Sequence, residues 1–168
     1  MMTTVQMQRR EVVLTRTLSA PRDLVWKAWT DPKRLASWWG PHGFSISECV
    51  ADVREGGALR IVMRPNEEIR VGMGLPPGAE FAMSGVYEIV DPMDRLGFTN
   101  NAFDLEGVQR LAGFTHVAFD EADGKTRITV TTSAEGEGPI AAAMMAGMEE
   151  GWSQTLDNMV SYVMGAKG

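Results

Sequence analysis

Residues 139–164, PIAAAMMAGMEEGWSQTLDNMVSYVM, decide how the rest of the chain must fold. Ala141, Met145, Met148, Trp152, Leu156, Met159 and Val163 recur at spacings of four and three, which places them on one side of a helix. Gly147, Glu150, Ser153, Gln154, Asp157, Asn158 and Ser161 fall on the other side. An amphipathic helix has to lay its apolar stripe on a partner, and the only partner the sequence offers is a set of strands. The expectation is therefore an α+β chain in which a sheet closes over this helix.

Upstream, Val12, Leu14, Arg16 and Leu18 alternate with Val13, Thr15 and Thr17, the pattern of a strand. Pro21 and Asp23 suit the first turn of a helix over 21–29, with Val25, Ala28 and Trp29 on one face. Asp31 followed by Pro32 restarts the chain as a second short helix through Trp38. From Phe44 the period returns to two. Ile46 and Val50 share one parity, and Leu59, Ile61 and Met63 share another after the turn at Glu55-Gly56-Gly57. Residues 65–78 lose all period and read as a long loop with a short strand at 69–71. Phe81, Met83, Gly85, Tyr87 and Ile89 then face inward. A turn at 91–94 leads into Leu96 to Thr99, and a polar loop runs to Arg110. A last hairpin, 114–119 with 126–132, turns around Glu121-Ala122-Asp123-Gly124. Such short turns demand an antiparallel meander.

Length and composition narrow the class. The 168 residues suit a single domain with a sizeable core, about 9–164. With 44% hydrophobic and 23% charged residues, the chain reads as globular rather than disordered or membrane-embedded. The formal charge of -6 argues against a nucleic-acid surface, and no apolar run reaches the roughly 20 residues of a membrane span. The first ten residues lack the apolar core of a signal peptide, and the single Cys49 fits a reducing compartment, so a cytoplasmic location is expected.

Seven pieces of sequence carry a family resemblance: RTLSAP (16–21), LVWKAWTDP (24–32), LASWWGPHGF (35–44), REGG (54–57), SGVY (84–87), GKTRITV (124–130) and GWSQTL (151–156). In this order they resemble the START-like (SRPBCC) superfamily, specifically its AHSA-type branch, related to the activator of a heat-shock-protein ATPase. The resemblance covers about 9–163. It implies a helix-grip (Bet v-type) fold: a curved antiparallel sheet of about seven strands wrapped on a long C-terminal helix, with two short helices after strand one. It also implies an apolar cavity of the kind the superfamily uses to bind lipids, polyketides and other hydrophobic small molecules. The loop over 65–78 is longer than the family's usual short turn and could serve as a lid.

The candidate ligand-binding residues are Arg16, Trp38, Trp39, Ile61, Met63, Phe81, Met83, Tyr87, Phe98, Met148, Trp152 and Met159. Of Trp38 and Trp39, one is expected to seal the core and the other to face the cavity. Arg16 shares parity with Leu14 and Leu18, so its guanidinium either enters the cavity or pairs with an acid at its rim. The methionines of the terminal helix suit a site of variable shape, and the same stripe would equally serve as plain core. His42, His116 and Cys49 stand at unrelated spacings and form no metal motif, and no cofactor is expected. Binding of a hydrophobic or amphipathic molecule is the leading reading. A cyclase-, aromatase- or hydrolase-like enzyme would need His116, Glu88 or Tyr87 in the cavity. An interaction protein resembling the ATPase activator would need a chaperone partner.

Overall fold

In the computed structural model, residues 6–166 are described. The chain runs β1 (Gln8–Leu18), α1 (Arg22–Thr30), α2 (Pro32–Trp38), β2 (Phe44–Ala51), β3 (Ala58–Pro65), α3 (Glu67–Gly72), β4 (Phe81–Asp91), β5 (Arg95–Thr99), β6 (Asn101–Phe103), β7 (Gln109–Ala122), β8 (Lys125–Gly136), α4 (Gly138–Ala146) and α5 (Met148–Ala166). All strand pairs are antiparallel, in the order β1-β8-β7-β5-β4-β3-β2. The first two strands in sequence therefore lie at opposite edges of the sheet, and α1 and α2 carry the chain between them. Asp31 caps α2 by accepting from the Lys33 N–H at 3.0 Å, and Pro32 occupies its first turn. The β7–β8 turn uses Asp123 and Gly124, both at positive φ (56° and 73°), the mirror-image turn whose twist matches the flanking strands.

The structure departs from the sequence reading at four places. The terminal helix is two helices, because Gly147 caps α4 with φ −89° and ψ −2° before α5 begins. The expected strand at 69–71 is instead helix α3, started by Asn66, whose side chain accepts from Ile69 N–H at 2.9 Å. In β2 a bulge between Ile46 and Glu48 resets the alternation, so Cys49 packs on the core while Val50 is exposed. Lastly, the polar loop after Thr99 contains an eighth strand, β6, which shares the slot between β4 and β7 with β5. Asn100 is the residue at which that slot changes strand.

The core forms two clusters. The larger gathers Val25, Trp29, Leu35 and Trp38 from α1 and α2, Ile61, Tyr87, Phe98, Phe119 and Ile128 from the sheet, and Leu156, Met159 and Val163 from α5. The smaller joins Leu111 and Ala134 to Ala141 and Met145 of α4. Polar residues of α5 fasten it along both margins. Arg16 of β1 reaches Asp157 Oδ1 at 3.2 Å and Ser153 Oγ at 2.9 Å. On the other side Gln154 Oε1 accepts from His42 N–H and Asn158 Nδ2 donates to Gly40 O.

Candidate functional site

Between the two core clusters the sheet and the helices fail to meet, leaving a cavity of about 350 Å³. Met63, Phe81, Met83, Ala102, Leu111 and Ala134 form its sheet wall, and Met144, Met148, Gly151, Trp152 and Thr155 its helix wall. Trp39, Gly40, Pro41 and Phe44 enter from the segment after α2, and Met73 from the end of α3. Among the described residues, none that lines it carries a titratable side chain. The wall is thus apolar and uncharged, with five methionine thioethers able to change rotamer at low cost.

The adjacent tryptophans take separate roles. Trp38 is 2% exposed and its indole Nε1 donates to Ala28 O at 2.9 Å, so it seals α1 to α2. Trp39, just past the helix in extended backbone, lines the cavity instead. Its ring stands edge-on to Trp152 (centroids 5.3 Å, 80°), and Phe98 lies 6.4 Å away behind it.

Six of the twelve candidate residues come together on the wall: Trp39, Met63, Phe81, Met83, Met148 and Trp152. The other six stand elsewhere. Arg16 is engaged with α5 as described, and Trp38, Ile61, Tyr87, Phe98 and Met159 are buried in the larger cluster. Burial keeps the Tyr87 hydroxyl protonated far above its ordinary range, with Cys49 and Asp52 adding to the effect. Phe44, Met73, Asn100, Ala102, Phe103 and Leu111 also line the cavity and were not anticipated, whereas Met144 joins it as one of the terminal-helix methionines. Met73, Asn100, Ala102 and Phe103 sit in stretches where the sequence shows no alternation, and only the folded chain brings them inward.

A second depression shares Met73, Phe81 and Met144 with the cavity and extends over Leu75, Leu105, Pro139, Ile140 and Ala143, with Asp104, Glu106 and Arg110 also on its lining. Large exposed apolar side chains line it, Met73 most of all at 58%, with Leu105 and Ile140. Asp104 organises the loop that carries Leu105. Its carboxylate accepts from the Glu106 and Val108 N–H groups, both at 2.9 Å, and from Arg110 Nε at 2.7 Å. The Val108 N–H and the Arg110 guanidinium do most to hold its pKa below the ordinary aspartate value.

The remaining candidates for chemistry lie off the cavity. His42 is exposed on a turn, and Glu88 is exposed on β4. His116 alternates with buried Thr115 and Val117 and occupies the opposite face of β7. Burial, and next the Arg95 guanidinium, depress the His116 pKa. Such a histidine favours the folded state while neutral, and that contribution is lost as pH falls from about 6.5 through the folded pKa. His116→Gln should therefore lessen the loss of stability on acidification, read as the difference in urea midpoints between pH 7.5 and pH 5, flanking the ordinary value of about 6.5. Equal pH dependence of variant and parent would refute it. Among the described residues no group of three or more His, Cys, Asp or Glu side chains could hold a metal ion, and no helix is long and apolar enough to cross a membrane.

A curved antiparallel sheet closed on C-terminal helices, with two short helices bridging its edges and an apolar cavity inside, defines the helix-grip class of START-like proteins. The family model described as "Activator of Hsp90 ATPase homolog 1-like protein" matches residues 19–164, and the chain belongs to that family. Among solved structures, it is similar to a protein from Rhizobium leguminosarum at 23% identity and TM-score 0.79, covering 96% of this chain and 99% of that one. It is also similar to the AHSA1 protein of Silicibacter pomeroyi, at 21% identity and TM-score 0.72, covering 92% and 98% of the two chains. At these identities the likeness speaks for the fold alone. Among curated proteins, none matches the sequence.

Proposed function

We propose that this protein binds a hydrophobic or amphipathic small molecule in the cavity between the sheet and α4–α5. The observation that carries the reading is the uncharged apolar wall enclosing about 350 Å³, a volume within the usual range for small-molecule sites. The depression beside it, bordered by Met73 after α3 and by the Leu105 loop, supplies an entrance. The enzyme reading has weaker support, because His116, Glu88 and Tyr87 do not line the cavity. An activator-like role toward a chaperone ATPase rests on the family's description alone, and stimulation of chaperone ATP hydrolysis would be its test.

Solvent extraction and native mass spectrometry of purified protein, followed by titration with a panel of lipids and hydrophobic metabolites, test the binding reading directly. Ala102→Trp, which projects an indole into the cavity from β6, should abolish binding while leaving the thermal midpoint within a few degrees. Unchanged affinity in that variant, or no binding by the parent protein to any panel member, would overturn the reading.

A further inference from the structure

Among the described residues, only four lining side chains bear a nitrogen or oxygen: Trp39, Asn100, Trp152 and Thr155. The Thr155 hydroxyl already donates to Gly151 O at 2.8 Å within its own helix. Asn100 differs from the others in being fixed from backbone to carboxamide. Its N–H donates to Gly113 O at 2.9 Å, and its Oδ1 accepts from the Thr115 hydroxyl at 2.8 Å. Thr115 Oγ1 in turn lies 2.8 Å from Thr132 Oγ1, and both threonines are fully buried. A hydroxyl has one hydrogen to give. With the Thr115 hydrogen committed to Asn100, the Thr132 hydrogen completes the relay, and the acceptor end of the carboxamide is turned toward it.

The other end of the carboxamide is open. No described residue accepts a hydrogen bond from Asn100 Nδ2. Space for it exists because residue 113 is glycine: a Cβ there would come within 3.1 Å of Nδ2 and 2.7 Å of the Asn100 carbonyl oxygen. A carboxamide held by one buried hydroxyl, which a second buried hydroxyl holds in turn, with an unspent donor in an otherwise apolar wall, is a preorganised recognition group, because an unpaired donor there gains more from a partner than one in water.

We propose that Asn100 reads the ligand: its Nδ2 donates to a single acceptor oxygen, such as a ketone, ester or ether oxygen, of an uncharged and otherwise hydrophobic molecule. This rests on the cavity being a binding site. The absence of any charged side chain in the wall sets the class, since a buried carboxylate or ammonium on the ligand would find no counter-charge. Asn100 selects within that class.

Two probes with the same carbon skeleton separate the possibilities: valerophenone, a ketone, and pentylbenzene, its hydrocarbon counterpart. Binding is followed by quenching of tryptophan fluorescence, which Trp39 and Trp152 report from the wall. The ketone is also followed by the infrared carbonyl stretch of its bound form. In the parent protein the stretch should shift to lower frequency relative to the ketone in an alkane. In Asn100→Leu the shift should vanish and ketone affinity should fall about five-fold relative to that of pentylbenzene. Asn100→Asp keeps an acceptor for Thr115 and exchanges the donor for a carboxylate, so it should weaken the ketone at least as much while preserving the relay. An unshifted stretch in the parent, or the same shift in parent and both variants, overturns the proposal while the cavity reading stands. Failure of both probes to bind the parent overturns the cavity reading, and this one with it.

Discussion

Gly85→Ala is expected to destabilise the protein by about 3 kcal/mol or more, the upper end of the usual cost of forcing atoms into a packed interior. An alanine Cβ at this position would lie 1.6 Å from the Thr99 carbonyl oxygen, far inside any possible contact. The oxygen cannot simply withdraw. Thr99 ends β5 immediately before the Asn100 break, and its hydroxyl accepts from Val86 N–H at 2.8 Å, so retreat would pull apart the junction of β4 with β5 and β6. Gly151→Ala provides the contrast. It lies in α5 with nothing within 4 Å of the added carbon, and the same change there should stabilise by about 0.5–1 kcal/mol. Urea denaturation of the three proteins measures both. A Gly85→Ala midpoint equal to the parent's would show that the close approach does not exist.

The second large effect divides the helix that opened the sequence reading. Leu156 is fully buried in the larger cluster, and Leu156→Ala should cost about 2–5 kcal/mol through lost burial and the void left behind. Met148 belongs to the same apolar stripe but borders a space that is already open, so Met148→Ala should cost about 1 kcal/mol or less. Near-equal losses would mean that the stripe is continuous core and that the cavity does not persist in solution. The pair thus tests the wall without any ligand in hand.

The helix-and-strand order was legible because it is written in period. The spacing of Val25, Ala28 and Trp29, the Asp31-Pro32 restart and a turn within 121–124 are local signals with local causes, though the turn itself needs only Asp123 and Gly124 and leaves Glu121 and Ala122 in β7. Division of labour between Trp38 and Trp39 was legible as a division but not as an assignment, since it depends on which side of the α2 end each ring leaves. What escaped were features without a period of their own. The bulge at Ile46/Glu48 inverts the facing of Cys49 and Val50 without altering composition. Helix α3 is six residues long, too short for its spacing to speak, and its Asn66 cap was hidden in a polar run. Asn100 stood in a stretch with no alternation, and its meaning comes from Gly113, Thr115 and Thr132 on strands that pair only after the sheet closes. A cavity is in any case the place where packing stops, and no single residue encodes that.

The methionine-rich wall carries a consequence in a different currency, that of electrons. Met63, Met73, Met83, Met144 and Met148 all touch the same space, and Met73 is the most open to solvent. A thioether oxidised to the sulfoxide becomes polar and chiral, and methionine sulfoxide reductases return it. Each oxygen gained would add a strong acceptor to a largely apolar wall, starting at the mouth and working inward. The same flexibility that lets these side chains mould to a guest therefore ties the chemistry of the pocket to the oxidant history of the protein.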